Sequence, residues 1–598
     1  MTQHKKFKFK QFLSFTLIVV FLSAIAYSCN EDDYDETFDP IDPVLSFSGS
    51  LFEVGKDAAT YSVRINANLP WRVQSNRDWI TVENQHGTAD STYIRIRVAA
   101  NRVQQTRSGS LSAYITDEVR AEITISQAEG DPMSDITVYF YVKEDGSADN
   151  DGSSWAEATT LTAALEAAFS GDVIRIAEGN YMPESIIVSG SENQRDASFL
   201  IAENITLEGG FPADASDEDD ISDPVAYPTV LDGNNGFHVV AIIAPLEEGR
   251  NVTLRGLTIT NGQAGLAANA NVTVGGSVLP RNYGGGIIVR NSVVLIEDCD
   301  IMSNRAEHHI PGVFVYANAN VTFVRTKIRN NSTLNASSNG GGIWNDGGAI
   351  FMFDSEVSGN ITSGVGAAIH NFSTTSFSSS ALSSRMYLFN TTISGNRTTV
   401  SAASGYYGRT NSYALMLNCT VSDNQSNSHG GGITMHDNAR LDVINSTITG
   451  NIAGGTGNGG GIFINTAMTQ VVNLYNTIVS GNTAGGTGND VNEAARPIAA
   501  KLAVIIGAEV IDKEGNSVTG VTFDAVANLG PLTDNGGFTR THALTGTNNP
   551  AVTHGMTLAE LQALVADFSP AIPEDIIGKD QTGNNRDGKT CIGAVVAN

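Results

Sequence analysis

The sequence predicts an all-β protein in which a right-handed parallel β-helix follows a small immunoglobulin-like β-sandwich. Strand-and-turn phrases that end in Asn recur through residues 136–500 at steps of 27 to 43 residues, which is typical of a solenoid. Residues 41–130 instead alternate between polar and apolar side chains, as half-buried strands do. The chain also has 61 glycines among its 598 residues, which suits a fold with many tight turns.

The composition excludes two classes of protein. Asp and Glu total 63 against 35 Lys and Arg, which gives a formal net charge of -28 at pH 7. Such a surface repels phosphate backbones, and electrostatic attraction supplies most non-specific affinity for nucleic acid. Charged residues make up only 16% of the chain, too few for a disordered acidic protein. We therefore expect a folded protein that does not bind DNA or RNA.

Residues 1–28 are predicted to be a lipoprotein signal peptide. Lysines between positions 5 and 10 precede an apolar run over residues 12–26, which is the order found in export signals. The run ends in Ala-Tyr-Ser-Cys at residues 26–29, which resembles a bacterial lipoprotein signal. This resemblance implies that Cys29 is lipidated and becomes the new N-terminus. The alternative is an ordinary cleaved signal followed by an incidental cysteine.

Residues 29–40 are predicted to be an acidic tether. The run Asn-Glu-Asp-Asp-Tyr-Asp-Glu directly behind Cys29 resembles the surface-export signal of Bacteroidetes lipoproteins. The resemblance implies a protein held in the outer membrane by its lipid and facing the cell exterior. A plain solvated tether is the alternative. After the signal, the sequence has no segment long and apolar enough to predict a membrane-spanning helix.

The sandwich at residues 41–130 resembles a BACON domain. The resemblance rests on the order of Trp71-Arg-Val, Asp-Trp79-Ile, Arg107-Ser-Gly and Ile125-Ser-Gln. Domains of this family stand at the N-terminus of many carbohydrate-active proteins of Bacteroidetes and have been proposed to bind glycans. Trp71 and Trp79 could stack on sugar rings, but tryptophan in a small sandwich more often belongs to the core. In that case the domain is a spacer.

Residues 136–500 are predicted to form the β-helix. A repeat of about 27 residues has room for three short strands and three bends, which make one coil. A short amphipathic helix ending near residue 168 is expected to plug the first coil. The asparagines that close the repeats are expected to form hydrogen-bonded ladders. These residues are Asn261, Asn304, Asn331, Asn360, Asn396, Asn424, Asn451 and Asn482.

The cysteines that follow the signal are predicted to be free thiols. Cys299 and Cys419 lie in one column of small residues, four coils apart. At roughly 4.8 Å per coil their separation is about 19 Å, which is far beyond disulfide reach. With Cys591 they form an odd, sparse set, which is not a disulfide framework.

A candidate glycan-binding surface follows the glycine-rich bends. The residue directly after each bend is apolar and should point inward, so the second and fourth residues after the bend should face solvent. We call these two columns the stripe. The first column is Ile288, Phe314, Trp344, His370, Tyr407, Thr434 and Phe463, and the second is Arg290, Tyr316, Asp346, Phe372, Arg409, His436 and Asn465.

The stripe has the chemistry of a polysaccharide site, since rings stack on sugars and Arg, Asp and His bond hydroxyls or carboxylates. The predicted ligand contacts are Phe314, Tyr316, Trp344, His370, Tyr407, Arg409 and His436. The alternative is that long loops at residues 373–386 and 398–404 fold over the stripe and bury it. A Gly-Gly pair directly after Asp346 could also shift the register there by one residue.

The sequence assigns no catalytic centre. A lyase needs a base beside a uronate and usually a carboxylate cluster that holds Ca²⁺, and a hydrolase needs two carboxyl groups across the bond. Asp346, Arg409 and His436 are the weak candidates. Arg290 and Arg409 could bind a uronate with His436 as base, but the set spans four coils, about 19 Å. His308 and His309 are expected in an exposed loop, so no metal is predicted, and Ca²⁺ would be needed only by a lyase.

Residues 501–598 resemble the choice-of-anchor Q region that ends many secreted β-helix proteins of the pectate-lyase-like superfamily. The matching motifs run from Leu529-Gly-Pro-Leu to Thr541-His-Ala-Leu, and include Asp580-Gln-Thr-Gly-Asn-Asn-Arg. With the strands upstream, the resemblance covers about 460 residues and implies an architecture but no activity. Thr582 stands where an Arg is common, and Val595 where an acidic or aromatic residue is usual.

Three functions follow from these observations. The favoured one is a surface lipoprotein that binds a complex glycan, either a polysaccharide or a glycoprotein glycan, along the stripe. The second is a polysaccharide lyase or glycoside hydrolase. The third is an adhesin or structural surface protein.

Overall fold

The computed structural model describes residues 42–597 except positions 57–58, 78, 83–84, 90–92, 99–100, 102–104, 131–136, 217–219, 266–270, 336–337, 375–382, 466–469, 493–496, 522, 524–527 and 547. The predicted signal peptide, Cys29 and the acidic tether lie outside the described residues, as does part of the 373–386 loop. The chain divides into two compact units, Met1–Ser134 and Asp135–Asn598. Among the described helices none is long and apolar enough to cross a bilayer.

The first unit is a β-sandwich, as predicted. Its four-stranded sheet, in spatial order, contains Leu45–Phe47, Ala59–Ala67, Tyr93–Val98 and Ile80–Val82. Its five-stranded sheet contains Leu51–Val54, Arg120–Gln127, Arg107–Tyr114, Trp71–Ser75 and His86–Gly87. Trp71 is buried in the core between them, and half-buried Trp79 packs against that core under the Arg107 guanidinium, 4.4 Å from its ring centroid. Both tryptophans therefore have packing roles, which favours the spacer interpretation.

The second unit is a right-handed parallel β-helix, as predicted, but each full coil has four strands rather than three. The fourth is a two-residue strand directly after the closing Asn, too short to stand out in a pattern of alternation. We number the sheets in the order in which the chain visits them. Sheet 1 contains Tyr139–Val142, Val173–Ala177, Thr206–Phe211, Val252–Arg255, Val293–Glu297, Asn320–Val324, Ala349–Phe353, Ser384–Phe389, Ser412–Leu417, Arg440–Ile444, Val471–Tyr475 and Ala500–Leu502. Sheet 2 contains Gly179–Tyr181, Thr229–Asp232, Leu257–Thr260, Asp300–Met302, Lys327–Arg329, Glu356–Ser358, Thr392–Ser394, Thr420–Ser422, Thr447–Thr449, Ile478–Val479, Val504–Ile506 and Glu509–Ile511.

The other two sheets complete each coil. Sheet 3 contains Gln263–Ala264, Arg305–Ala306, Ser332–Thr333, Ile361–Thr362, Arg397–Thr398, Gln425–Ser426, Ile452–Ala453, Thr483–Ala484 and Thr487–Gly488. Sheet 4 contains Phe199–Ile201, Val240–Ile242, Ile287–Arg290, Val313–Tyr316, Ile343–Asp346, Ile369–Asn371, Tyr406–Gly408, Ile433–Met435, Ile462–Ile464 and Val491–Asn492. Apolar side chains from sheets 1, 2 and 4 fill one continuous core along the axis.

A short helix closes the first coil, as the sequence predicts. Helix α1 spans Leu161–Ala167, and the Thr160 hydroxyl caps it by accepting the Ala163 N–H. Leu161 and Ala164 are buried in the same core as the first strands of sheets 1 and 4. The helix therefore covers apolar side chains that would otherwise meet water.

The predicted asparagine ladder is present from Asn304 to Asn482. In each step the side-chain amide donates to the Asn carbonyl oxygen of the next coil, at 2.8 to 3.1 Å, and the ladder ends on Asp490. Asn261 is not part of it, so that assignment is wrong. Asn261 takes the left-handed bend position, with a φ of 59°, and the Gly262 N–H bonds Asn304 instead. In that coil Asn occupies the bend position and Gly the ladder position, which reverses the Gly-Asn order of several later repeats.

The three cysteines are free and buried, as predicted. Burial raises the pKa of both Cys299 and Cys419 to about 12, which keeps them as thiols. Their Sγ atoms lie within hydrogen-bond distance of core carbonyl oxygens, at 3.2 Å from Glu297 O and 3.3 Å from Leu388 O.

The C-terminal region packs along the outer faces of sheets 1 and 2. It comprises the hairpin Leu529–Thr533 and Thr541–Leu544 with helices α2 (Pro550–Thr553), α3 (Leu558–Val565) and α4 (Glu574–Ile577). Leu561 and Ile577 pack on Leu417 of sheet 1 in one hydrophobic cluster. On sheet 2, the Thr392 hydroxyl donates to Arg540 O at 2.7 Å. The part of this sheet that the C-terminal region covers begins at this coil.

Candidate functional site

The stripe lies in one register on the outer face of sheet 4. Ile288 pairs with Phe314, and the column continues through Trp344, His370, Tyr407, Thr434 and Phe463. Tyr316 pairs with Asp346, so the register does not slip beside the Gly-Gly pair. The predicted stacking of equivalent residues is therefore confirmed.

The predicted exposure is wrong for most of the stripe. Phe314 and Tyr316 are fully buried, Trp344 and His370 nearly so, and Tyr407 is only 6% exposed. A hairpin, Asn271–Val274 and Ser277–Pro280, and the residues after it lie over the first coils of the stripe. Val274, Leu279, Ile310 and Tyr283 join the aromatic residues in a second hydrophobic cluster, which contains no residue of the 398–404 loop.

The hairpin and the residues after it are anchored to the β-helix by specific contacts. Arg281, just after the hairpin, forms a buried ion pair with Asp196, with Nε 2.7 Å from Oδ1 and a second contact through Nη2. The Tyr316 hydroxyl donates to Val278 O at 2.6 Å, and the Tyr283 ring lies 4.8 Å from that of Phe314. These contacts make the first half of the stripe a part of the interior.

The buried part of the stripe is a ladder of rings rather than a set of ligand contacts. The His370 ring stacks on Trp344 with centroids 4.4 Å apart and lies 5.0 Å from Tyr407. Neither His370 nitrogen has a hydrogen-bond partner among the described residues. Burial, together with the nearby Arg409 and His309, lowers the pKa of His370 to about 3, so the ring is neutral.

Asp346 is not available for catalysis. It is buried, and its carboxylate accepts the Thr374 N–H and hydroxyl, both at 2.6 Å. Burial raises its pKa, and the two bonds from Thr374 only partly oppose this. Its role is to hold the start of the loop that follows sheet 4 in the next coil.

The open end of the stripe carries a polar group that we call the Arg409 cluster, made of Arg409, Thr410, His436, Asp437 and Asn465. Asp437 is the centre. It accepts Arg409 Nε at 2.9 Å, the Thr410 hydroxyl at 2.5 Å and His436 Nδ1 at 2.8 Å. His436 Nε2 in turn lies 2.5 Å from the Asn465 amide nitrogen. Arg409 and His436 therefore stand on adjacent coils, and only Arg290 is remote from them.

The electrostatics of the cluster hold the Arg409 guanidinium in one orientation. Partial burial opposes the Asp437 charge, but the bonds from Thr410, His436 and Arg409 outweigh it and lower the pKa of Asp437 to about 2. The guanidinium also lies over the Phe372 ring, 4.9 Å from its centroid. Its side chain is 42% exposed, and in the described chain its two Nη groups have no hydrogen bond.

Asp437 was missed by reasoning from the sequence. It follows the predicted outward residue His436, and strict alternation would turn it away from the stripe. Its φ of 53° bends the chain at the end of the strand and brings the carboxylate back beside Arg409. An Asp two residues after the strand Ile433–Met435 was the available signal, because Asp tolerates this left-handed conformation.

A second candidate site is a groove on the outer face of sheet 2. Thr258, Asp300, Lys327 and Glu356 follow one another in register on four successive coils. Two adjoining cavities of about 400 and 460 Å³ lie over them and share Lys327, Glu356 and Phe538. Residues near 224 close one side, and residues 534–540 of the C-terminal region close the other.

Most charges in this groove are already paired. Arg325 binds Asp298 and Glu297 at 2.6 to 2.7 Å. Arg329 binds Asp300 at 2.7 Å, and Arg540 binds Glu356 at 2.5 Å. The Lys327 ammonium, by contrast, has no hydrogen bond or ion pair to any described residue.

Three charged residues of the groove lie at bends between strands of sheets 1 and 2. Asp298, Arg325 and Asp354 have left-handed backbone conformations, with φ values of 47° to 52°. Their side chains nevertheless line the groove. One sign of the groove was present in the sequence: the bend residues of three successive repeats are acidic, basic and acidic in turn.

No group of three or more His, Cys, Asp or Glu side chains is placed to hold a metal ion within the described ranges. His308 and His309 are half-buried rather than exposed, with ring centroids 5.8 Å apart. His309 Nδ1 accepts the Asn339 N–H at 3.1 Å, and burial, with His308 beside it, lowers its pKa to about 4.

Two family models match parts of the chain. Residues 44–130 match the model of the viral BACON domain, and residues 233–382 match that of the right-handed β-helix region. Both agree with the fold of the unit in which they fall. Among curated proteins, none matches the chain.

Solved structures of low identity resemble parts of the chain. The pectate lyase Pel9A is 12% identical with a TM-score of 0.44, covering 77% of this chain and 96% of its own. The pectin methylesterase from Aspergillus niger is 11% identical with a TM-score of 0.29, covering 62% and 91%. A Bacteroides ovatus GH5 xyloglucanase is 14% identical with a TM-score of 0.14, covering 29% and 38%.

Proposed function

We propose that this protein binds a polysaccharide at the open end of the stripe, where the Arg409 cluster contacts a carboxylate-bearing sugar. The observation that carries the proposal is an oriented guanidinium whose two Nη groups have no hydrogen bond to any residue that the structure describes. Arginine binds carboxylates through two parallel N–H···O bonds, which are stronger than neutral hydrogen bonds. Because Asp437 and Phe372 already fix Arg409, little side-chain freedom is lost when a ligand binds.

The neighbouring groups suit the rest of a sugar residue. His436 and the Asn465 amide are hydrogen-bonded to each other beside Arg409, and a sugar hydroxyl would replace that bond when it binds. The half-buried Phe463 ring stacks on His429 with centroids 4.4 Å apart and provides an apolar edge one coil beyond His436. The net charge of -28 opposes a polyanion at long range, but salt screens such repulsion beyond about 8 Å at physiological ionic strength.

The test is affinity gel electrophoresis of the chain from residue 29 onward, in gels that contain polygalacturonate, alginate or a neutral glucan. Arg409→Gln is expected to abolish retardation by the uronate polymers, because it removes the charge and the paired donors. Arg397→Gln is the control, since Arg397 is an exposed arginine of the neighbouring sheet 3. Parent-like retardation of Arg409→Gln would overturn the assignment of the site. If no polysaccharide retards the parent, the adhesin or structural role is favoured.

A lyase is the second candidate, and the shared Asp437 favours it. In such a reaction Arg409 would neutralise the uronate carboxylate while His436 Nε2 takes the proton from C5. The C4–O bond then breaks, its electrons leave with the departing sugar, and a C4–C5 double bond forms. Asn465 must first release Nε2, which it now occupies. A hydrolase is less favoured, because Asp437 is tied up in three hydrogen bonds and Asp346 is buried.

The lyase candidate is tested by the ultraviolet absorbance of the unsaturated product during incubation with uronate polymers. A rise that is lost in His436→Ala, while gel retardation persists, is the expected signature. If the parent produces no rise with a polymer that it binds, the protein is a binding protein only.

We further propose that the protein is held at the outer membrane by lipid on Cys29 and faces the cell exterior. The support is the Ala-Tyr-Ser-Cys sequence at residues 26–29 and the acidic run behind it. Cells fed a labelled fatty acid should label the parent but not Cys29→Ala, and protease added to intact cells should digest the parent. Label that persists in Cys29→Ala would contradict the lipid anchor.

A further inference from the structure

We propose that the groove on sheet 2 is a second glycan-binding site, which takes a neutral polysaccharide chain. It lies on a different sheet from the Arg409 cluster and shares no residue with it. The proposal is therefore independent of the function proposed above.

The shape of the groove suits a chain rather than a small ligand. Four coils, from Thr258 to Glu356, contribute outward side chains in register, which gives a length of about 14 Å at 4.8 Å per coil. Two cavities follow one another along this length. The groove ends where Arg540 of the C-terminal region meets Thr392 and Glu356.

An exposed aromatic ring stands between the two cavities. Phe538 is 64% exposed and lines both of them. The Arg325 guanidinium lies 5.6 Å from its ring centroid, so one face has a fixed neighbour. Large apolar side chains left in solvent beside a groove mark binding surfaces, and an aromatic face suits the C–H face of a sugar ring.

The charges of the groove favour a neutral ligand. Its lining includes five carboxylates against four cations, so a polyanion would meet a small excess of like charge. Three of the cations are engaged with carboxylates, whereas the Lys327 ammonium has no partner among the residues that the structure describes. Burial raises the pKa of Asp354, which adds a carboxyl group with a weaker tendency to ionise. The paired Arg and carboxylate groups offer a dense array of donors and acceptors for hydroxyl groups.

The experiment measures retardation in gels that contain a soluble neutral glucan, mannan or xylan. Phe538→Ala and Lys327→Ala are each expected to weaken the interaction about tenfold, the equivalent of 1.4 kcal/mol. Tyr93→Ala is the control, because Tyr93 is an exposed aromatic residue of the first unit. Since Phe538 and Lys327 are exposed, neither substitution should shift the thermal unfolding of the protein.

Two comparisons separate this site from the Arg409 cluster. Arg409→Gln is expected to leave retardation by neutral polymers unchanged, and Phe538→Ala to leave retardation by uronate polymers unchanged. Added salt should weaken only the uronate interaction. The proposal is overturned if Phe538→Ala and Lys327→Ala both bind neutral polymers like the parent, or if no neutral polymer retards the parent.

Discussion

Replacing Asn360 by Ala tests whether the coils are held together by the asparagine ladder. The Asn360 amide donates to Ile328 O at 2.9 Å and to Asn396 Oδ1 at 3.0 Å. Its carbonyl oxygen accepts the Asn331 backbone N–H and side-chain amide, both at 3.0 Å. Each such bond contributes about 1 kcal/mol, and a buried donor left without a partner costs more. With four bonds lost in a fully buried site, we expect the free energy of unfolding to fall by roughly 3–5 kcal/mol.

The assay is urea unfolding of the full chain, followed by circular dichroism, in which the midpoint should fall without a change of slope. Asn427→Ala is the matched control, because Asn427 is exposed and its amide makes one bond, at 3.3 Å to Val400 O. That variant should stay within about 1 kcal/mol of the parent. If Asn360→Ala also stays within that margin, the ladder contributes little to the stability of the coils and the reasoning fails.

Four further predictions concern buried groups. His370→Phe should unfold at the same temperature as the parent or higher, because it keeps the stacked ring and removes two nitrogens that have no partner in the described part of the chain. The pKa of His370 is about 3 in the folded protein, against 6.5 for a free imidazole, so the unfolded chain binds this proton more readily. The stability of the parent should therefore fall as the pH drops from 6.5 toward 3. The stability of His370→Phe should fall less steeply over the same range. Cys299 and Cys419 should react with a thiol reagent only after unfolding, and fast reaction of the native protein would contradict their burial. Arg281→Ala should lower the free energy of unfolding in urea by about 3–5 kcal/mol, because it leaves the Asp196 charge buried without its ion-pair partner. The double variant Arg281→Met with Asp196→Leu should recover most of that loss, because it removes both charges.

The sequence predicted part of the Arg409 cluster but not the groove on sheet 2, and both outcomes have a physical reason. Arg409 and His436 were identified because both lie at regular positions after a glycine-rich bend. Asp437, which joins them, was not, because its left-handed backbone interrupts the alternation on which the prediction rested. The groove was overlooked because one side of it comes from residues 534–540 of the C-terminal region, and Arg540 is 184 residues from the Glu356 that it binds.

The sequence by itself determined the repeat and the register of the stripe, but not the fourth strand of each coil. Strand alternation and the repeat are local properties, so Phe314, Trp344 and Tyr407 could be placed in one column without coordinates. Only the tertiary structure decided which part of that column meets solvent. The hairpin that covers it is held by Arg281 and Asp196, which are 85 residues apart, and no local pattern reports a contact between segments so distant in the chain.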